Sequence, residues 1–430
     1  MNAHAATAAP GASASGLRLV GYHDLDGRPG FKMALDLVGG RSYLHVTHFW
    51  EPRLSVIDVT DPGRMRIVAA VEGPEHTATW QVQVADGLLV QGLEVRPVPW
   101  GGDPALPGEE GLRFFDVSDP ESPRVIGRWH TGHVDGVHRS HYTGGRYAHV
   151  AAARQGFEGN IYVILDVSDP ANAREVGSWH LPEQREGHGR GRRVSFHGPA
   201  YVEGDRAYLG YGAAGLVILD ISDPSSPQLV SQLEIGPAFS SMIAMHTAVP
   251  DPERKIVIVN TEAIAERQQE AYNFAGVVDI ADESAPRLIS LFPTPVPPEG
   301  VGYANFSLRG GRFGPHNQHH PQSEHLLARG DLVFMTWFNA GVRVFDIADP
   351  YLPREVAWYL PDDPMVRRGL LPKDLVTQSE DILVDARGYI FVTDKNHGLH
   401  ALRLEDHLEQ RLPGRASTTN MGEGPDDTGR

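Results

Sequence analysis

An all-β fold, a single β-propeller of seven blades, is predicted by three features of this 430-residue chain. Turn formers are abundant, with 47 glycines and 33 prolines, and aliphatic residues come in short runs rather than in stripes of helical period. One acidic turn motif recurs along most of the chain. The two ends carry pieces of one further repeat that neither end completes.

The recurring strings are VIDVTDP, FFDVSDP, ILDVSDP, ILDISDP, VVDIADE and VFDIADP, with their first acidic residues at Asp58, Asp116, Asp166, Asp220, Asp279 and Asp346. Successive copies stand 50 to 67 residues apart, the length of one four-stranded blade with loop insertions. Each copy reads as an apolar strand, an acidic turn and a further strand such as PRVIGRWH, AREVGSWHL or PREVAWYL. The turn has a physical cause: Asp and Ser side chains cap backbone N–H groups, and Pro presets φ while ending the preceding ladder.

Six copies do not close a ring. Residues 381–404, DILVDARGYIFVTDKNHGLHALRL, supply three strands of a seventh blade, and residues 16–24, GLRLVGYHD, have the pattern of a fourth strand with no blade before it. If the N-terminal strand completes the last blade, the ring closes by main-chain hydrogen bonds and no strand edge is left open. An open, capped solenoid would leave both segments as orphans. The expected organisation is a disordered leader over 1–15, the propeller over 16–410 and a disordered tail over 411–430.

Charge and composition exclude several functions. A formal net charge of -17 argues against nucleic acid, because gripping phosphates requires surplus Lys and Arg. No run is long enough to cross a bilayer, and MNAHAATAAPGASASG lacks the basic-then-apolar order of a secretory signal, so a cytoplasmic protein without membrane contact is expected. With no cysteine, thiol usage says nothing of redox compartment, and a metal ion must be held by His, Asp or Glu.

The repeats resemble the LVIVD-repeat family of bacterial proteins, named for the strand before the DVSDP turn, and the resemblance covers nearly the whole chain. It implies the propeller fold and leaves activity open, since one fold hosts many chemistries.

Function is therefore sought in the channel, which the first strand of each blade lines. In blades three to six these strands begin VHRSHYTGG, SFHGPAYVEGD, AMHTAVPDP and PHNQHHPQ, bringing His138, His197, His246 and His316 to equivalent places. Their spacing follows the blade period and no helical one. Blade two offers Trp80 at that place and blade seven offers Glu380 beside Asp381. A lone histidine is more often a surface or core residue, and 21 histidines produce coincidences, but four matches in consecutive blades are a pattern. Four imidazoles suit one transition-metal ion, iron first, then copper, zinc or manganese, and leave positions open for substrate.

Glu380 is the expected proton acceptor, with His141 and His319 as further catalytic candidates a few residues along the same strands. His76, Arg139, Gln318 and Glu262 lie near ends that face the channel and receive no role. His45, His48, His397 and His400 read as structural.

The four-histidine arrangement resembles that of the carotenoid cleavage oxygenases, seven-bladed propellers that hold ferrous iron on four histidines, although those lack the DVSDP repeat and carry a large apolar dome. SEDILVDARGYIFVTDKNHGL is similar to the final blade of the selenium-binding protein and methanethiol oxidase family. Both resemblances imply a ligand role for His138, His197, His246 and His316. The leading expectation is an iron oxygenase or copper oxidase acting on a small organic substrate. A metal-dependent lyase or hydrolase, using the ion as a Lewis acid, is the second. A non-catalytic interaction scaffold is the third. Insertions at GGDPALPGEE and AIAERQQEAYNFAG, the latter with a short helical run, read as a lid over one channel mouth or as a contact in a homo-oligomer.

Overall fold

The computed structural model describes residues 9–188, 194–235 and 241–414. Seven antiparallel sheets follow one another along these residues and form the blades of a propeller. Blade one shows the grammar: Gly30–Val38, Arg41–His48, Arg53–Asp58 and Arg66–Glu72 pair in that order. The first strands ring the axis. Ser379–Val384 of blade seven touches Gly30–Val38, which touches Val82–Ala85 of blade two, and Val137–His141, Ala200–Glu203 and Ile243–Asp251 continue the circuit.

Each repeated turn is built by its two acidic residues. Asp58, Asp116, Asp166, Asp220, Asp279 and Asp346 end the third strand of their blades, and each accepts from the backbone N–H two residues on. The second acidic residue repeats the trick three positions later, as Asp61 does with Gly63 and Asp169 with Ala171. The chain then enters the fourth strand, where an arginine reaches back: Arg174 lies 3.1 Å from Asp166 and Arg66 lies 3.0 Å from Asp58. A register shift recurs between third and fourth strands in blades one to six, so the bulge belongs to the repeat.

Blade seven consists of Ser379–Val384, Ile390–Asp394, Gly398–Leu404 and, on its outer edge, the N-terminal strand Leu17–His23. Leu17 faces Leu404 and His23 faces Leu399, from opposite ends of the described chain. The glycines of the outer strands explain how neighbouring blades nest. A Cβ on Gly127 of blade two would sit 1.9 Å from the Pro170 carbonyl of blade three, and a Cβ on Gly21 would sit 1.8 Å from the Pro62 carbonyl of blade one. Gly21 therefore stands to blade one as Gly127 stands to blade three.

Two expectations are corrected at the ends. Within the stretch read as a disordered leader, Ala12–Ser15 forms a strand on the outer edge of blade six, paired with Trp358–Pro361, because the fourth strand there is long enough to offer a free edge. Within the stretch read as a tail, Leu412 is buried against blades six and seven. The remainder, 1–8 and 415–430, lies outside the described residues. Blade six also departs from the pattern inside: around His316 the chain makes only an isolated bridge, Gln318 to Met335, before the ladder starts at Leu332–Thr336.

The core is divided rather than central. Seven apolar clusters each join two adjacent blades, from the Leu54, Val84 and Phe115 layer between blades one and two to the Leu44, Val46 and Phe391 layer between blades seven and one. An eighth, aromatic cluster of Phe31, Phe49, Ala78 and Trp80 sits at one channel mouth. No helix among the described residues is long and apolar enough to cross a membrane.

Candidate metal centre

The four first-strand histidines converge. Neighbouring rings are 4.2 Å apart for His138 and His197, 5.4 Å for His197 and His246, and 5.1 Å for His246 and His316, centroid to centroid. Four consecutive blades contribute one ring each, His138 and His246 from within first strands and His197 and His316 from the segments just before Ala200–Glu203 and the Gln318 bridge.

Their tautomers follow from their partners. Nδ1 of His138 lies 2.8 Å from the Glu94 carboxylate, and Nδ1 of His316 lies 2.9 Å from the Glu380 carbonyl oxygen. Both partners only accept, so Nδ1 carries the proton and Nε2 presents a lone pair. For His246 the reasoning runs from the other side: Arg139 donates to its Nε2 at 2.9 Å, so its Nδ1 donates to the Thr247 hydroxyl at 2.6 Å. Three imidazoles thus aim Nε2 lone pairs at the axis with Nδ1 anchored behind them, the arrangement that outer partners impose on metal-ligating histidines.

His197 completes the set. Its Nε2 lies 3.1 Å from Nε2 of His138 and 3.1 Å from the Glu262 carboxylate. The same carboxylate is 3.6 Å from Nε2 of His246 and 3.6 Å from Nε2 of His316. Two ligands at roughly 2.1 Å from one ion stand roughly 3 Å apart, so the spacing suits a shared centre. His197, His246 and Glu262 form a group whose ligand atoms all lie within 4.8 Å of one another.

The protonation states agree with ligation. Burial pushes His197 down to about 4, with the neighbouring His138 adding to the effect. Burial also drives His246 and His316 well below the ordinary imidazole value, so all three are neutral at pH 7. Burial opposes ionisation of Glu262, but the His197 hydrogen bond and the facing rings outweigh it and hold the carboxyl well below its usual range.

One cation already faces these lone pairs. The guanidinium of Arg139 lies 2.9 Å from His246 Nε2 and 3.5 Å from His316 Nε2, and its other amino group donates to Gln81 at 3.0 Å. A metal ion and this guanidinium compete for the same nitrogens, so loading requires Arg139 to swing aside. The donor set fits an ion on that condition.

Beside the centre is a small cavity of ≈ 50 Å³. Its polar side includes Arg312, 3.3 Å from Glu262, and Glu380, 2.5 Å from Lys395 Nζ. Burial pushes the Glu380 carboxyl up and the Lys395 ammonium down, each offset by the other's charge. Its apolar side is Phe31, Phe49, Trp80, Trp100 and Ile264. Trp100 adjoins the blade-two insertion and Ile264 begins the blade-five insertion, so both reach one mouth. The helical run expected in the second is a single 3-10 turn, Glu266–Gln268, with Arg267 at φ 55°.

The three proposed catalytic residues part company. Glu380 lines the cavity, and its carboxylate is 3.4 Å from His316 Nδ1. His319 is not brought there: its Nε2 is 2.9 Å from the Leu327 carbonyl oxygen and its Nδ1 accepts from the Val384 N–H, so both nitrogens are spent on backbone. His141 is not among the cavity's lining either. It lies two residues beyond Arg139, buried beside His320 at 5.7 Å and Tyr201 at 5.9 Å. Gln318 is structural, bonded to Asn260 at 2.8 Å. Glu262 and Arg139, given no role from sequence, stand at the centre, and Glu94, Arg312 and Lys395 carried no sequence signal, since none occupies the repeated first-strand position.

The LVIVD repeat family matches residues 143–180 and 200–234, which hold most of blades three and four. A search of curated protein sequences finds no match. Among solved structures, the β-propeller domain of Cps50 (Swd1) from Myceliophteria thermophila is similar, with a TM-score of 0.52 at 11% identity over 87% of this chain and 99% of that one. The structure of U3-55K is similar with a TM-score of 0.51 at 9% identity, over 90% of this chain and 98% of that one. At such identity the likeness speaks for the fold alone.

Proposed function

This chain belongs to the LVIVD-repeat β-propellers, and from that premise we propose that its channel makes it a mononuclear metalloenzyme, an oxidoreductase acting on a small organic substrate. One transition-metal ion, iron before copper, zinc or manganese, is held by His138, His197, His246 and His316. The observation that carries this reading is the group of His197, His246 and Glu262, whose ligand atoms lie within 4.8 Å of one another, with His138 and His316 beside it and Nδ1 of His138, His246 and His316 anchored on Glu94, Thr247 and the Glu380 carbonyl.

The ion, when bound, supplies a Lewis-acidic and redox-capable centre. The protein supplies the rest. Glu262 offsets the ion's charge. Glu380 and Lys395, 2.5 Å apart, hold a proton beside the cavity. The wall of Phe49, Trp80 and Trp100 excludes water from one side.

The test is elemental analysis of the purified full chain, then oxygen uptake with a panel of small organic substrates. About one ion per chain, lost in His246→Ala, and oxygen-dependent turnover are expected. Turnover that ignores oxygen assigns the ion to lyase or hydrolase chemistry instead. A second reading follows from Arg139, whose guanidinium satisfies the histidines without any metal. On it the ring is a polar network in a non-catalytic scaffold, and the protein purifies and stays metal-free when ions are offered.

A further inference from the structure

The seven first-strand positions around the channel are not equivalent. Blades three to six place imidazoles there, whereas blade two places Trp80 and blade seven Glu380, and Phe31 comes from the first strand of blade one. The lone pairs draw an ion toward one half of the ring. The other half is left to a ligand, and its chemistry is uneven in a telling way.

One side of that half is lined by aromatic rings set at angles to one another. Phe49 stacks on Trp80 at 4.7 Å with 28° between the planes, Trp100 lies 4.9 Å from Trp80, and Phe31 lies 4.8 Å from Phe49. Three buried cations share the cavity with them, Arg139, Arg312 and Lys395, with exposures of 3%, 7% and 1%, and Lys395 Nζ lies 4.8 Å from the Phe49 ring centroid. Two are paired, Arg312 with Glu262 at 3.3 Å and Lys395 with Glu380 at 2.5 Å. Arg139 is not: among the described residues no carboxylate lies within ion-pair distance of it, and its Nε has no partner. A buried guanidinium without an anion is costly, and a bound anion removes that cost.

We propose that this half of the channel binds a planar aromatic carboxylate, its ring against Phe49 and Trp80 and its carboxylate on Arg139. The planar fork of a guanidinium matches a carboxylate two bonds at a time, which an ammonium does not. A guanidinium with no carboxylate partner suits an anion, and a narrow cavity lined by aromatic rings suits a flat molecule. Engaging such a ligand also draws Arg139 away from His246 and His316, the movement that metal loading requires. The proposal rests on the metal reading for what is done to the ligand, and not for its recognition, which uses residues outside the four histidines.

The test is calorimetric titration of the full chain with benzoate and phenylacetate, and with benzyl alcohol and benzamide as neutral controls, in metal-depleted and metal-loaded protein. The acids are expected to bind in both forms and the neutral controls not to. Arg139→Gln and Trp80→Leu are expected to weaken binding by about tenfold or more, the scale of one charge-assisted hydrogen bond or one stacked ring. Thermal melts of both variants establish that they fold, and Phe49→Leu replaces Trp80→Leu if that variant does not. Equal binding of benzoate and benzyl alcohol, or folded variants that bind as the parent does, overturns the proposal. Acid binding by a protein that takes up no metal leaves it standing while removing the metalloenzyme. Full metal content with no acid binding does the reverse.

Discussion

Nε2 of His138 lies 3.1 Å from Nε2 of His197. Glu94 fixes the His138 proton on Nδ1, so His138 can only accept there, and the proton between the two rings belongs to His197, which shares it with Glu262 at 3.1 Å. A metal ion would take the place of that proton.

Metal content follows the histidines individually. His197→Ala and His246→Ala are each expected to reduce the ion from about one per chain to a small residue. His319→Ala, whose nitrogens serve backbone groups, is expected to keep the full complement. Elemental analysis after gel filtration checks all three, and equal content across the set ends the assignment.

The anchor behind His138 is testable apart from the ligands. In Glu94→Ala the ring loses the 2.8 Å acceptor that fixes its tautomer, and metal affinity is expected to fall by roughly 10–100-fold, the usual cost of losing such a partner. Competition with a coloured chelator measures it, and an unchanged constant shows that Glu94 does not orient the ring.

Acid weakens the repeat turns in a definite direction. Arg146 and the Ser168 hydroxyl hold the Asp166 carboxyl far below its ordinary value. A depressed carboxyl stabilises the fold above its unfolded-state value, near about 3.9, and that contribution disappears as pH falls toward the folded value. Asp58, Asp116, Asp220, Asp279 and Asp346 are shifted the same way, so their effects accumulate. Urea midpoints measured from about pH 5 downward are expected to drop steeply for the parent and less steeply for Asp166→Asn. Identical slopes would show that the Asp166 pairing contributes nothing.

Gly21 packs the N-terminal strand closely against the Pro62 carbonyl of blade one. Its substitution by Val drives a side chain onto the Pro62 carbonyl and is expected to cost about 1–3 kcal/mol in a denaturant titration. Gly127→Val, facing Pro170 in the same way, is expected to cost a similar amount. Removal of residues 1–23 exposes the edge of Gly398–Leu404 and is expected to give aggregation, read by light scattering. A soluble, equally stable truncation shows that the strand is dispensable.

Blade number, the turn grammar and the four inward histidines were legible because they are local and periodic. An Asx turn needs only residues two positions apart, and a strand reveals its period within a few residues, so both survive being read one segment at a time. The pattern of GLRLVGYHD as a fourth strand was legible for the same reason.

Glu262, Arg139, Lys395 and Glu94 were not legible as a group, because they differ in residue type and charge even where they share a place near the end of a second strand. Glu262 ends the second strand of blade five, Lys395 follows the second strand of blade seven, and Glu94 lies in the second strand of blade two. They meet only because a closed ring carries one end of every blade to a single mouth, where distance in space ceases to depend on distance along the chain. Charge compensation acts across that space: which carboxylate steadies which imidazole, and which guanidinium is left without an anion, is a property of the assembled channel and of no segment within it.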